Sequence, residues 1–168
     1  MQCLEEHPND PCIAQYVTEL ETNQPANLVS DGVLLKGVWE LRWSSSKQPW
    51  LRQAPWLDNL QVLDPDNSRG CNLLRLRGTL GGLAAIRVEA DLSTLNQTRV
   101  EVRFRSGGWV GPQLPGGNRL QLMREVQQSF PAWLDITVLD HQLRICRGNA
   151  GTVFALTRRS DLSVSDFF

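Results

Sequence analysis

Gly37-Val38-Trp39-Glu40-Leu41-Arg42-Trp43 sets two of the chain's six tryptophans at the start of an alternating run. A glycine there lets the chain bend in tightly, and the indole two residues on plugs the narrow end of a small antiparallel barrel. Barrels of this size often enclose an apolar ligand, so the chemistry on offer is binding. Trp39 and Trp43 act as core plugs and, from that position, as a cavity floor. A second feature is Leu143-Arg144-Ile145-Cys146-Arg147, which places one guanidinium on each face of a strand. If Leu143 and Ile145 face in, Arg147 goes with them. A buried guanidinium must be paired or stacked, because unpaired charge is costly in a low-dielectric interior. It either stacks over Trp39 as a cation–π contact or meets an anionic or carbonyl ligand head.

The third feature is Lys47-Gln48-Pro49-Trp50-Leu51-Arg52-Gln53-Ala54-Pro55-Trp56-Leu57, with Pro-Trp-Leu twice. Prolines exclude this stretch from sheet interiors. Indoles prefer interfaces with one apolar and one wet side. Trp50 and Trp56, with Trp109 from a glycine-rich stretch, are therefore candidates for a membrane edge or a cavity rim, with Lys47 and Arg52 beside them. The competing reading folds these indoles back onto the barrel.

Catalysis finds little support. His141 follows Asp140 in a turn with no partnered serine or cysteine. Asp135 belongs to an outer strand face, and Asp64 and Asp66 are turn formers. Gly78, Gly81 and Gly82 lack the lysine and the strand–loop–helix frame of a phosphate loop. Cys3, Cys12, Cys71 and Cys146 form no C-x-x-C pair and do not cluster with His7 or His141, so no metal and no cofactor is expected. Cys71 and Cys146 read as small buried apolar groups, and the thiols as reduced.

The elements that must position these residues follow from periodicity. Asp10-Pro11 opens a helix whose stripe is Ile13, Tyr16, Val17 and Leu20, closed at Asn23 and Pro25. A further helical turn is expected between 27 and 36. Period-two runs then suggest about eight strands, among them Leu60 with Val62, Leu74 with Leu76, Ala84 to Ala90, Val100 to Phe104 and Leu134 to Val138. Turns at Asp140-His141 and Gly148-Asn149-Ala150-Gly151 bound the last two strands. One late helix is expected to open at Asn118, with Leu120, Met123, Gln127 and Phe130 on one face, and to stop at Pro131.

The formal net charge of -1 rules out a global field that recruits nucleic acid, and no nucleic-acid module is visible. The 17 basic residues comprise Lys36, Lys47 and fifteen arginines, read as surface ion pairs with some available to anionic headgroups. The acidic Met1-Gln2-Cys3-Leu4-Glu5-Glu6 lacks the apolar core of a secretory signal, and no apolar run is long enough to span a bilayer. The expected location is cytoplasmic, with peripheral membrane contact.

Two stretches resemble the plastid lipid-associated protein family, also called PAP/fibrillin, and its cyanobacterial members in particular. One is Leu35-Lys36-Gly37-Val38-Trp39-Glu40-Leu41-Arg42-Trp43-Ser44-Ser45. The other runs from Trp133-Leu134-Asp135-Ile136-Thr137-Val138-Leu139-Asp140 into Leu143-Arg144-Ile145-Cys146-Arg147-Gly148-Asn149-Ala150-Gly151-Thr152-Val153-Phe154. With the Asn-Gln-Pro segment before the first strand, the resemblance spans about residues 12 to 158. Val138 departs from it, standing where many members carry an aromatic residue. The resemblance implies a lipocalin-like barrel at thylakoid or lipid-body surfaces. It implies binding of lipids, carotenoids or prenylquinones in photoprotection, without catalysis.

The expectation is thus one mainly β domain over 1–168: a helical segment 11–35, a lipocalin-like up-and-down barrel 37–158 and a tail 159–168. Expected cavity residues are Trp39, Leu41, Trp43, Val100, Val102, Phe104, Ile136, Val138, Arg147 and Phe154, and the partner is a hydrophobic small molecule or lipid. Two other readings stay open. One is a bilin chaperone or lyase using Asp140, His141 and Arg147; the other is a protein-docking adaptor anchored by Phe167-Phe168.

Overall fold

Alternating apolar and polar residues build nine antiparallel strands in the computed structural model, which describes residue 4 and residues 10–51, 54–128 and 132–168. They are β1 (Gly37–Ser44), β2 (Leu57–Asp64), β3 (Arg69–Leu76), β4 (Ala85–Thr94), β5 (Arg99–Gln113), β6 (Arg119–Glu125), β7 (Ala132–Leu139), β8 (Leu143–Gly148) and β9 (Val153–Arg158). Eight close into a ring in the order β4-β3-β2-β1-β9-β8-β7-β5, with β4 pairing β5 to complete it. Closure removes the edges of the ring itself, while β6, paired only with β5 among the described residues, keeps one free edge.

The ninth strand arises because β5 is twice the usual length. Its first half, from Arg99 to Val102, pairs β7, whereas Ser106 to Gln113 pairs β6. The expected late helix is therefore replaced by β6. Leu120 and Met123 have helical spacing, but Leu120 and Leu122 have strand spacing, and the free edge of β5 supplies the hydrogen bonds that decide between the two. The expected stop at Phe130 and Pro131 lies outside the described residues.

Before the barrel come α1 (Ile13–Asn23) and α2 (Leu28–Asp31), then a 3-10 turn over Gly32–Leu35. Asp10 accepts the Cys12 amide proton at 2.8 Å, so the Asp-Pro signal marks the approach to a helix that starts two residues later. Asn27 caps α2 by accepting from the Val29 amide. Ile13 and Val17 are buried, while Tyr16, placed on the same expected stripe, is exposed.

Three apolar clusters result. The interior one joins Leu35, Trp39, Leu41, Leu92, Val100 and Leu156. A second lies under α1 and contains Val138, Leu143, Ile145 and Ala155. The third covers the outside of β2 and β3, where Phe167 of the tail packs with Leu60, Val62 and Cys71. Phe167 is buried and Arg69 stacks on the Phe168 ring at 4.4 Å, so this pair is occupied by the barrel itself instead of being presented as an anchor.

Three of the expected inward residues face outward, two of them because of bulges. Between Leu41 and Trp43 the register against β9 shifts, and the extra residue turns Trp43 to the cluster under α1. A shift between Ile136 and Val138 does the same to Val138. Ile145 faces that outer cluster, so Arg147 faces outward with it and donates to Glu21 of α1 at 2.6 and 2.8 Å. The inward guanidinium of β8 is Arg144, fully buried at 0% exposure.

Candidate ligand-binding site

Gly37 opens β1 where the Arg158 side chain passes so close that an added Cβ would overlap its Nη1 atom. That approach lets Arg158 donate to the backbone carbonyls of Leu34, Lys36 and His141. Its guanidinium lies 4.2 Å from the Trp39 ring, and Arg144 lies 5.1 Å from it. Trp39 is itself fully buried and donates Nε1–H to the Leu35 carbonyl at 3.0 Å. The 3-10 turn, the first strand and the last strand thus lock together on one indole.

Beside this closed end the barrel holds a cavity of about 300 Å³. Val100, Val102, Phe104, Ile136 and Phe154 are on its wall, as the alternation predicts. Trp39 and Leu41 belong to the interior cluster but stand off that wall, and Trp43, Val138 and Arg147 are on the outside. Further wall residues are Leu63, Val88, Ala90 and Leu92, with Leu51 and Asn149 among those supplied from loops. Ala90 and Val88 sit in an alternating run; what the pattern does not disclose is that β2 turns Gln61 and Leu63 inward instead of Leu60 and Val62. Both faces of β2 are covered, so its apolar periodicity is ambiguous.

Gln61 and Asn72 are registered opposite each other and both line the cavity. Gln61 also pairs with Trp39 across β1, and Arg144 Nη2 donates to Gln61 Oε1. Burial pulls the Arg144 pKa down to about 10. Burial likewise pushes up the Cys146 thiol beside it, and Cys71 rises to about 11, so both are inert packing groups.

Along the strands beyond this row the barrel wall becomes an exposed apolar ladder. Leu74, Ile86, Trp109 and Leu122 are successive register partners on β3, β4, β5 and β6. Ile86 is 55% exposed, Trp109 40% and Leu122 63%. Trp109 lies against Gly111, where a Cβ would collide with the indole. Trp56 is 65% exposed. The Trp50 side chain and Arg52 lie outside the described residues.

Two of the carboxylates weighed for catalysis are engaged elsewhere. Asp140 Oδ1 accepts from the Gln142 and Leu143 amides at 2.7 and 2.6 Å, the work of a turn. Asp135 chelates Arg99 at 2.7 and 2.8 Å, and this hydrogen-bonded pairing holds its carboxyl below the usual range. Among the described residues no group of three His, Cys, Asp or Glu side chains is arranged to hold a metal.

The PAP_fibrillin family model matches residues 5–157. The chain belongs to the PAP/fibrillin family. No curated protein and no solved structure matches it. For this PAP/fibrillin chain the matched span contains Trp39, the cavity and all of the strand ring but Arg158, the last residue of β9. Among the described residues no helix is long and apolar enough to cross a membrane.

Proposed function

We propose that this protein binds and shields a lipophilic molecule, a lipid, carotenoid or prenylquinone, without catalysing a reaction on it, in a photoprotective role at thylakoid or lipid-body surfaces. The observation that carries the reading is an apolar cavity inside a closed barrel of a lipid-associated family. At about 300 Å³ it lies at the small end of ligand sites. It takes one apolar end of a long molecule, and the remainder extends along the exposed ladder. Burial drives uptake at about 25 cal/mol per Å² of apolar surface removed from water, and the barrel keeps aqueous oxidants from what it encloses.

The test is mass spectrometry of an organic extract of protein purified from a photosynthetic host. A stoichiometric carotenoid, quinone or lipid is expected. A bilin, or protein that is empty from such a host and takes up none of these in vitro, overturns the reading.

Trp56 and Trp109 serve as the edge that meets the lipid surface, since each exposes an indole suited to an interface. Replacing both with alanine is expected to lower the fraction floating with thylakoid-lipid liposomes about tenfold, equivalent to about 1.4 kcal/mol. Flotation equal to the parent's removes this edge from the proposal.

A further inference from the structure

The cavity wall is mostly apolar. Besides the loop residue Asn149, its polar side chains are Gln61 and Asn72, which face each other across β2 and β3, and a cation stands behind Gln61. Arg144 is fully buried, and among the described residues it forms no ion pair with a carboxylate. Its Nη2 donates to Gln61, but Nε and Nη1 have no hydrogen-bond partner. The Cys146 thiol beside it is a weak acceptor. The Trp39 ring at 5.1 Å offsets only part of the cost of an unpaired interior charge. Arg158, the other cation on that ring, has given its donors to three carbonyls and supplies no negative charge.

Accepting from Arg144 through Oε1 fixes the Gln61 amide. Its Nε2–H donors have no protein partner among the described residues, and the residue borders the cavity. The Asn72 amide, opposite it in register, lies at the exposed end of the same wall and is open to a ligand entering from solvent. The arrangement is a donor pair backed by an uncompensated positive charge.

We infer that the cavity selects an apolar chain ending in a carboxylate, held by the amide donors of Gln61 and Asn72 with Arg144 as the buried counter-charge. This inference rests on the lipophile-binding reading and names its ligand class. A neutral carbonyl satisfies the amides but leaves the guanidinium uncompensated; a carboxylate does both. The chain then runs from this polar point along Val88 toward Ile86 and Trp109.

Dodecanoate and methyl dodecanoate, titrated calorimetrically at pH 8 below their aggregation limits, separate the possibilities because they share chain and carbonyl and differ in charge. Dodecanoate is expected to bind at least tenfold more tightly. Gln61→Leu should erase that preference while leaving the ester near its parent affinity. Gln61→Glu supplies Arg144 with an internal carboxylate: it should abolish dodecanoate binding and leave the melting temperature equal to or above the parent's. Equal affinities for acid and ester, or a preference that survives Gln61→Leu, overturn the carboxylate inference and leave lipophile binding standing. Failure of both probes and of an alkane-tailed fluorescent dye to bind overturns the two together.

Discussion

Trp39→Ala is expected to destabilise the protein by about 4 kcal/mol, within the range for emptying a fully buried tryptophan site. At roughly 2–4 °C per kcal/mol for a chain of this size, that lowers the melting temperature by roughly 8–16 °C. The size of the effect follows from what converges on the ring. The indole is fully buried, its N–H holds the Leu35 carbonyl, and two guanidiniums rest on it. Alanine removes the packing and also takes the Trp39 ring from Arg144, which pairs with no carboxylate among the described residues. Trp39→Phe separates the two contributions. It keeps a ring under the guanidiniums and loses the hydrogen bond, and it should cost about 1–2 kcal/mol. Urea denaturation of the three proteins measures both steps. An alanine variant within 1 kcal/mol of the parent would show that the ring is not the lock described here.

Much of this lock was legible in the sequence, and the reason is local. Glycine two residues before a tryptophan at the start of an alternating strand has few other uses, and the structure places both residues where the motif predicts. Val100, Val102 and Phe104 were equally readable, because their polar partners Arg99, Glu101 and Arg103 leave one possible inward face. Trp43, Val138 and Arg147 were not. Trp43 and Val138 lie past a bulge, where a single inserted residue exchanges the two faces of everything after it. Arg147 lies on the regular strand β8, whose Leu143 and Ile145 face the cluster under α1. Nothing in the composition of Leu41-Arg42-Trp43 or Ile136-Thr137-Val138 marks the insertion; it is set by the register of β9 and β8.

Gln61 and Asn72 were hidden for a different reason. Strand β2 is covered on its outside by Phe167 and on its inside by the barrel, so Leu60 and Val62 carry the stronger apolar signal although they face away from the cavity. The polar residues between them look like the solvent side. Strand β6 was concealed by degeneracy: seven residues with leucines at 120 and 122 and methionine at 123 satisfy both periods, and only the unpaired half of β5 resolves the choice. The ladder through Trp109 and Leu122 became visible only with that pairing.

Val88→Trp is expected to reduce retained lipophile roughly 70-fold while leaving the fold intact. Val88 lies on the cavity wall next to Asn72 in register and is only partly buried, so a larger side chain there enters open space instead of the packed region around Trp39. The indole takes up a large share of a cavity of about 300 Å³. Excluding about 100 Å² of ligand contact at about 25 cal/mol per Å² removes about 2.5 kcal/mol of binding, which is the 70-fold loss. Stability should stay within about 1 kcal/mol of the parent's, because the new apolar surface is buried against walls that are already apolar. Thermal melting and quantitative mass spectrometry of the extract measure the two effects on one preparation. Retention unchanged in a correctly folded variant would mean that the bound molecule lies outside the barrel, on the exposed ladder, and the enclosed-ligand mechanism would fall. Loss of retention with an unchanged melting temperature has the opposite force: it assigns binding to the interior, since Val88 lies on the cavity wall, one register row from the ladder, and the substitution removes none of the apolar residues of that exposed ladder.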